Sequence, residues 1–479
     1  MDAFIPSSSQ LPRFRKEKLI VKIRSSANLN TIFSAARGSQ RISSLTYPGL
    51  AILSTFDRAG LIRKVTPIAP PRAEEVSILA TQDVFTALQA SLERVPSDDV
   101  CSGVSIIELE DAQYLPEIQL ALANDPNVEY ASRIPIRYLV ASTQSGGPDL
   151  GITATPPPTI WNLKKIRWAD ARALPDFREA TDIKVAVLDT GIDVNHPDLK
   201  GKIKNYVFDA PDLANPSSNR DILGHGTHVA GTIAASINND IGINGICDCH
   251  LGIWKVFDDT PDFVQCGENG YQYLTNDCLY LRALCDCIKQ NIDVVNLSIA
   301  GTESDPFEIE VFRRLIENGT TVVAGMGNSA ELGNPVMYPA AYPDVIAVGA
   351  TKQDDKVTIF SSFGNHISIS APGNAIWSTL PTYPGHLTLE AVCDGDNYKV
   401  GRISRARDIQ YDAWAGTSMA TPHVTGAVAL VLANKGRMKP SEVRMLLRKT
   451  ADKVPDMEGK EFDPRYGAGR LNLLRLLSE

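Results

Sequence analysis

Ile183-Lys184-Val185-Ala186-Val187-Leu188-Asp189-Thr190-Gly191-Ile192-Asp193 is an almost wholly apolar run that stops at a carboxylate and a glycine. A run this short and this apolar, without alternation, is the pattern of a strand buried on both faces. The Thr-Gly pair that follows turns the chain away. Further apolar runs recur at 251–257, 292–298, 320–324 and 345–349, separated by helical stretches. Strands alternating with helices imply an α/β fold, a parallel sheet flanked by helices on both faces. Sites in such folds form beyond the carboxyl ends of the strands, and Asp189 stands at one of those ends.

Two more segments carry chemistry. Gly224-His225-Gly226-Thr227-His228 places histidines at the start of a helix built from small residues. Gly416-Thr417-Ser418-Met419-Ala420-Thr421-Pro422-His423 sets a serine where a glycine turn meets an apolar helix, Gly426 to Leu432. A helix N-terminus favours developing negative charge, and a serine hydroxyl needs a base and an orienting acid to act as a nucleophile. The chain order Asp, His, Ser is one of the three orders in which that constellation occurs. Spacing alone does not choose between His225 and His228.

Together these segments resemble the signature blocks of the subtilisin-like serine peptidases. A fourth block agrees: Thr321 to Asn328 is similar to the family segment whose asparagine helps to form the oxyanion hole. The likeness runs from about Trp161 to a closing segment, Tyr466 to Asn472. It implies that Ser418 attacks the scissile carbonyl, His225 moves its proton, Asp189 orients the imidazole, and Asn328 stabilises the oxyanion. His228 and His423 are read as structural. The likeness also implies a substrate cleft. Ser298, Ile299, Ala300 and Gly301 form one wall, with Ala300 where relatives have glycine, and Gly325 and Met326 lie opposite. Met337 is at the floor of a pocket suited to a small or medium uncharged side chain. The loop 236–245 resembles a calcium loop, with Asp198 and Asn239 as oxygen ligands of a structural calcium ion.

Residues 1–18 are polar and read as a flexible tail. Residues 19–140 read as a small α+β domain: strands at 19–24 and 104–110, a helix at 81–92, and a helix at 114–124. A turn at Asp125-Pro126-Asn127 then leads to a last strand ending at 134–139. Its second half resembles a subtilisin-type propeptide, which implies an intramolecular partner that inhibits the peptidase, although a permanent regulatory domain fits the same residues. Residues 141–160, with Ser145-Gly146-Gly147-Pro148 and Pro156-Pro157-Pro158, read as an exposed linker, and residues 161–479 as the catalytic domain. Two insertions, 258–278 and 381–411, depart from minimal relatives.

The formal charge of −9 lies beyond residue 144 and argues against nucleic acid as a partner. No apolar run is long enough to span a membrane, and the start lacks a signal-peptide pattern. These features lead to the expectation of a cytoplasmic protein, or an exported one if a leader is missing. The pairs Cys247/Cys249 and Cys285/Cys287 are open to three readings: reduced thiols, disulfides or a metal site. Gly325-Met326-Gly327 imitates a dinucleotide motif, but Pro335 and Pro339 block the helix that motif needs. The order of the motifs and Ala420 exclude the G-x-S-x-G esterase elbow. The chain therefore reads as a latent serine endopeptidase acting on protein or peptide, with a peptidase-like regulatory protein as the alternative.

Overall fold

The computed structural model describes residues 13–24, 55–56, 59–68, 100–139, 160–207, 219–263, 271–394 and 397–479. They fall into two compact units: 13–135 with 304–311, and 136–303 with 312–479.

The smaller unit is an antiparallel sheet of β1 (Phe14–Ile23), β2 (Ile62–Pro67), β3 (Val104–Leu109) and β4 (Val128–Pro135), in the order β2-β3-β1-β4. Helix α1 (Leu115–Ala123) covers it. Leu19, Val21, Ile107, Leu109, Ile118 and Leu122 form its core. β1 begins at Phe14, ahead of the expected Leu19, because the polar residues before Leu19 still find main-chain partners: Lys18 sits opposite Glu108, and Phe14 opposite Pro135. The turn into β4 is fixed by Asp125, whose Oδ1 accepts the Asn127 amide at 2.9 Å. The helix expected at 81–92 lies outside the described residues.

In the larger unit, the described residues form a seven-stranded parallel sheet. Its strands are β5 (Lys184–Asp189), β6 (Ile203–Val207), β7 (His250–Lys255), β8 (Val294–Leu297), β9 (Thr321–Gly325), β10 (Ile346–Thr351) and β11 (Ile369–Pro372). Their spatial order is β11-β10-β9-β8-β5-β7-β6. The fold is the α/β architecture expected from the apolar runs. Val185 to Leu188 are inaccessible to solvent, as a strand covered on both faces requires. Helix α2 (His225–Ala234) starts at the histidine motif, and α3 (Asp277–Lys289) precedes β8. Helix α4 (Thr417–Lys435) starts at the serine motif and is buried around its whole circumference from Thr417 to Leu432, which makes it the centre of the core. Among the described residues no helix is long and apolar enough to cross a membrane.

Two glycines let α2 approach the end of β5. Gly191 has φ +116°, a region that side chains disfavour. A Cβ on Gly226 would stand 2.1 Å from the Gly191 carbonyl oxygen. Gly226→Ala must therefore push α2 off the Asp189 turn. Urea denaturation is expected to show a loss of about 1–3 kcal/mol, the range for overpacking; unchanged stability would mean the two segments are not locked together.

Candidate active site

Asp189 closes β5, Ser298 follows β8, and Asn328 lies three residues past β9, so neighbouring strand ends converge on one place. Asp189 Oδ1 accepts the Thr190 amide at 2.7 Å and lies 2.7 Å from His225 Nδ1. Both side chains are fully buried. His225 Nε2 makes no hydrogen bond. That ring nitrogen is thus left for a reacting group, while the other fixes the tautomer.

Ser418 is the second residue of α4. Its hydroxyl donates to the Ser298 carbonyl at 3.3 Å, and the Ser298 hydroxyl donates to the Ser418 carbonyl at 3.2 Å. The second bond has a cause in the sequence. Pro422 has no N–H to offer the carbonyl four residues earlier, and Ser298 supplies the missing donor. Asn328 Oδ1 accepts the Thr417 amide at 2.9 Å and the Thr417 hydroxyl at 3.0 Å. These two donors decide which way round the Asn328 amide sits and leave its NH2 end for other acceptors.

The remaining expected cleft residues are also assembled. Ile299 and Ala300 pair antiparallel with Leu139 and Tyr138 of the chain itself. On the other side of that strand, Leu139 N–H donates to the Tyr273 carbonyl at 3.1 Å, and Thr275 N–H to the Arg137 carbonyl at 2.9 Å. Gly301 exchanges two main-chain bonds with Tyr338, each 2.8 Å. A Cβ on Gly301 would lie 2.1 Å from the Ile136 carbonyl oxygen. Met337 is buried with Ile136, Tyr138, Leu274 and Ala300, and the Tyr138 hydroxyl reaches its sulfur at 3.4 Å. The group seated against Met337 is thus a tyrosine of the chain itself. Gly325 faces Thr417 and Thr421 of α4, and Met326 is buried behind it.

His228 and His423 take structural places. His228 stacks on Trp414 with 5.0 Å between ring centroids and shares a hydrogen on Nε2 with the Ile376 carbonyl at 3.0 Å. His423 Nδ1 meets the Met419 carbonyl at 2.8 Å. Burial pushes His228 down to about 3, helped by His225, and His423 down to about 4.

Asp198 and Asn239 come together. Asn239 Oδ1 accepts the Ile241 amide, so its NH2 group is the end that faces Asp198 Oδ1, at 2.8 Å. Asp198 Oδ2 accepts the Ile243 amide at 2.9 Å and the Tyr411 hydroxyl at 3.4 Å. Both carboxylate oxygens are thus met by donors of the chain itself.

The cysteines divide. Cys247 and Cys249 are buried thiols, and the hydrogen bond to Cys249 together with burial holds Cys247 well above the usual thiol range. Burial raises Cys287 likewise. Cys285 is disulfide-bonded, as is Cys101. The four cysteines of the two pairs therefore share neither one redox state nor a metal.

Asp221 was not singled out in the sequence. Its buried carboxylate accepts the Thr190 hydroxyl (2.8 Å), the Gly224 amide (2.8 Å), and the amide and hydroxyl of Thr227 (2.8 and 2.7 Å). The available signal was its place four residues ahead of His225.

Residues 180–469 match the model of the Subtilase family. Subtilisin E of Bacillus subtilis (strain 168) is 36% identical over 296 residues, covering 61% of this chain and 65% of that protein. The intracellular serine protease of Paenibacillus polymyxa is 31% identical over 345 residues, covering 68% of this chain and 88% of that protein. The crystal structure of fervidolysin from Fervidobacterium pennivorans, a keratinolytic enzyme related to subtilisin, aligns with a TM-score of 0.62 at 24% identity. That alignment covers 99% of this chain and 64% of that one, and it speaks for the fold alone.

Two predictions follow from the geometry. Unfolded histidines titrate near 6.5 and the buried pair far lower, so between those values the unfolded chain binds more protons. Stability is therefore full above about pH 6.5 and falls as the pH drops towards 4, by up to about 1.4 kcal/mol per pH unit for each histidine. Thermal unfolding of His423→Gln should show a shallower acid slope; an unaltered slope would mean His423 is charged in the fold. Tyr411→Phe should cost about 1 kcal/mol in thermal unfolding. A chelator-induced drop of several degrees in the melting temperature would support the calcium reading, and no change would argue against it.

Proposed function

The chain belongs to the subtilase family, and from that premise we propose that it is a serine endopeptidase made in a latent form. Ser418 is the nucleophile, His225 the general base and then acid, Asp189 the orienting carboxylate, and Asn328 the side-chain donor to the oxyanion. The observation that carries the reading is the 2.7 Å bond between Asp189 and His225, which leaves Nε2 unpaired. The carboxylate holds the proton on Nδ1, so Nε2 can accept one from the serine and return it to the leaving amine. The helix N-terminus and Asn328 then meet the charge that forms on the carbonyl oxygen.

Latency is supported by the strand Tyr138–Leu139. It is hydrogen-bonded on both sides, to 299–300 and to 273–275, as an extended substrate would be. Tyr138 against Met337 supports a site for uncharged, apolar side chains. Cleavage just after this strand, near residue 140, would separate it from the peptidase. The disulfide-bonded state of Cys101 and Cys285 favours an oxidising compartment over a cytoplasmic one.

A fluorophosphonate probe and intact mass test this together. The full chain should label after limited proteolysis and yield a new N-terminus close to residue 140. Ser418→Ala should do neither and should lose about 10⁶ in turnover on peptides. Labelling that survives Ser418→Ala, or its absence in the wild-type chain under every condition, would favour the peptidase-like regulatory protein. Preference for Arg or Lys before the scissile bond would overturn the pocket assignment.

A further inference from the structure

The insertion that precedes the serine motif has its base built into the loop that delivers His225. It consists of a hairpin, β12 (His386–Asp394) and β13 (Asn397–Ala406), entered through 381–385 and left through Arg407. Arg407 is only 5% exposed. Its guanidinium donates to five carbonyls. Nε meets Ile222 at 2.9 Å, one terminal nitrogen meets Asp408 at 2.8 Å and Pro381 at 3.4 Å, and the other meets Tyr383 at 2.9 Å and Asp221 at 3.5 Å.

Two of those carbonyls, Asp221 and Ile222, belong to the run that leads into His225. The same run is gripped elsewhere. The Asp221 N–H donates to the Tyr383 hydroxyl at 2.8 Å. Lys255 Nζ takes the carbonyls of Arg220 and Thr190, each at 2.9 Å. The Asp221 carboxylate binds forward to Gly224 and Thr227. The approach is close enough to exclude side chains. A Cβ on Gly224, which has φ +87°, would lie 2.9 Å from Arg407 Cδ, and one on Gly385 would lie 2.0 Å from the Ile222 carbonyl oxygen. A planar fork with five N–H donors can hold this many carbonyls in one geometry, whereas an ammonium group with three donors cannot.

We propose that Arg407 is a positioning residue for the peptidase reaction: through it the inserted hairpin fixes the loop 221–224, and hence the imidazole of His225. The inference rests on the reading of this site as a serine peptidase. It makes the insertion part of the working enzyme.

The test uses the full chain with Arg407→Met, Arg407→Lys and Gly385→Ala, the last keeping the guanidinium while prying the hairpin from Ile222. Displacement of a catalytic group by fractions of an ångström is expected to lower kcat on a peptide about 10–100-fold. KM should stay within about threefold, and the acid limb of kcat/KM, which reports the base, should shift. Arg407→Lys should recover only part of the loss. Folded Arg407→Met with kcat within about twofold of wild type and the same pH profile would overturn the proposal. So would wild-type kinetics in Gly385→Ala, should Arg407→Met fail to fold. The imidazole nitrogen resonances of His225, recorded in a Ser418→Ala background, give a readout independent of turnover. They should move in Arg407→Met while those of His423 stay; unmoved signals overturn the proposal even if the wild-type chain proves inactive. A wild-type chain that neither labels nor cleaves, but in which those resonances do move, defeats the peptidase reading and leaves the positioning contact standing.

Discussion

A carboxylate with no access to water must be met by donors or give up its charge. Asp221 is such a group, and the donors it finds come from two motifs: the Thr190 hydroxyl beside Asp189, and the Gly224 and Thr227 groups that flank His225. It can be satisfied only when the turn after β5 and the start of α2 lie side by side. Hydrogen bonds to charged groups contribute about 1.5–3 kcal/mol each, and losing one in a buried site leaves a penalty behind. The 2.7 Å contact of Asp189 with His225 is thus held within a larger buried network. Gly191 and Gly226 are what let the two segments come close enough for that network to form.

The same logic recurs wherever a helix begins at the site. The first amides of a helix lack intrahelical partners. In α2 they are taken by the Thr190 hydroxyl, at 2.8 Å from the Gly226 amide, and by Asp221. In α4 the first amide goes to Asn328, and the carbonyl freed by Pro422 goes to Ser298. Each motif thus completes the backbone bonding of another. Asp, His, Asn and Ser arrive together because their neighbours would otherwise be buried without partners.

What was legible in the sequence is what local pattern can carry. Val185 to Leu188 announce a strand because both faces are covered, and the fold class is readable for that reason. The roles of Asp189, His225, Ser418 and Asn328 rest instead on a resemblance between motifs, since spacing alone does not choose between His225 and His228. Other features depend on contacts that no window of sequence contains. Arg407 is one charged residue among several in an insertion, and only the folded chain brings Ile222 and Tyr383 to it. Asp198 and Asn239 lie far apart in the sequence, and only the folded chain brings the Asn239 amide within 2.8 Å of the carboxylate. Phe14 opens a strand earlier than side-chain polarity suggests, because main-chain pairing with β4 extends past the apolar stretch.

The groups that would react differ in how firmly they are held. The His225 ring is fixed from behind by Asp189, itself bonded to the Thr190 amide, and the loop before it is tied on several sides. The Ser418 hydroxyl hangs from a rigid helix start on one soft torsion and rests on the Ser298 carbonyl. The strand over the site is a different matter. Leu139 and Arg137 bond to 273–275 while Tyr138 pairs with Ala300, so removing that strand strips main-chain partners from both walls at once. A bound peptide can restore those bonds; water in a narrow cleft does so less well. On the latent-peptidase reading proposed above, the barrier to activity lies in exchanging one extended strand for another.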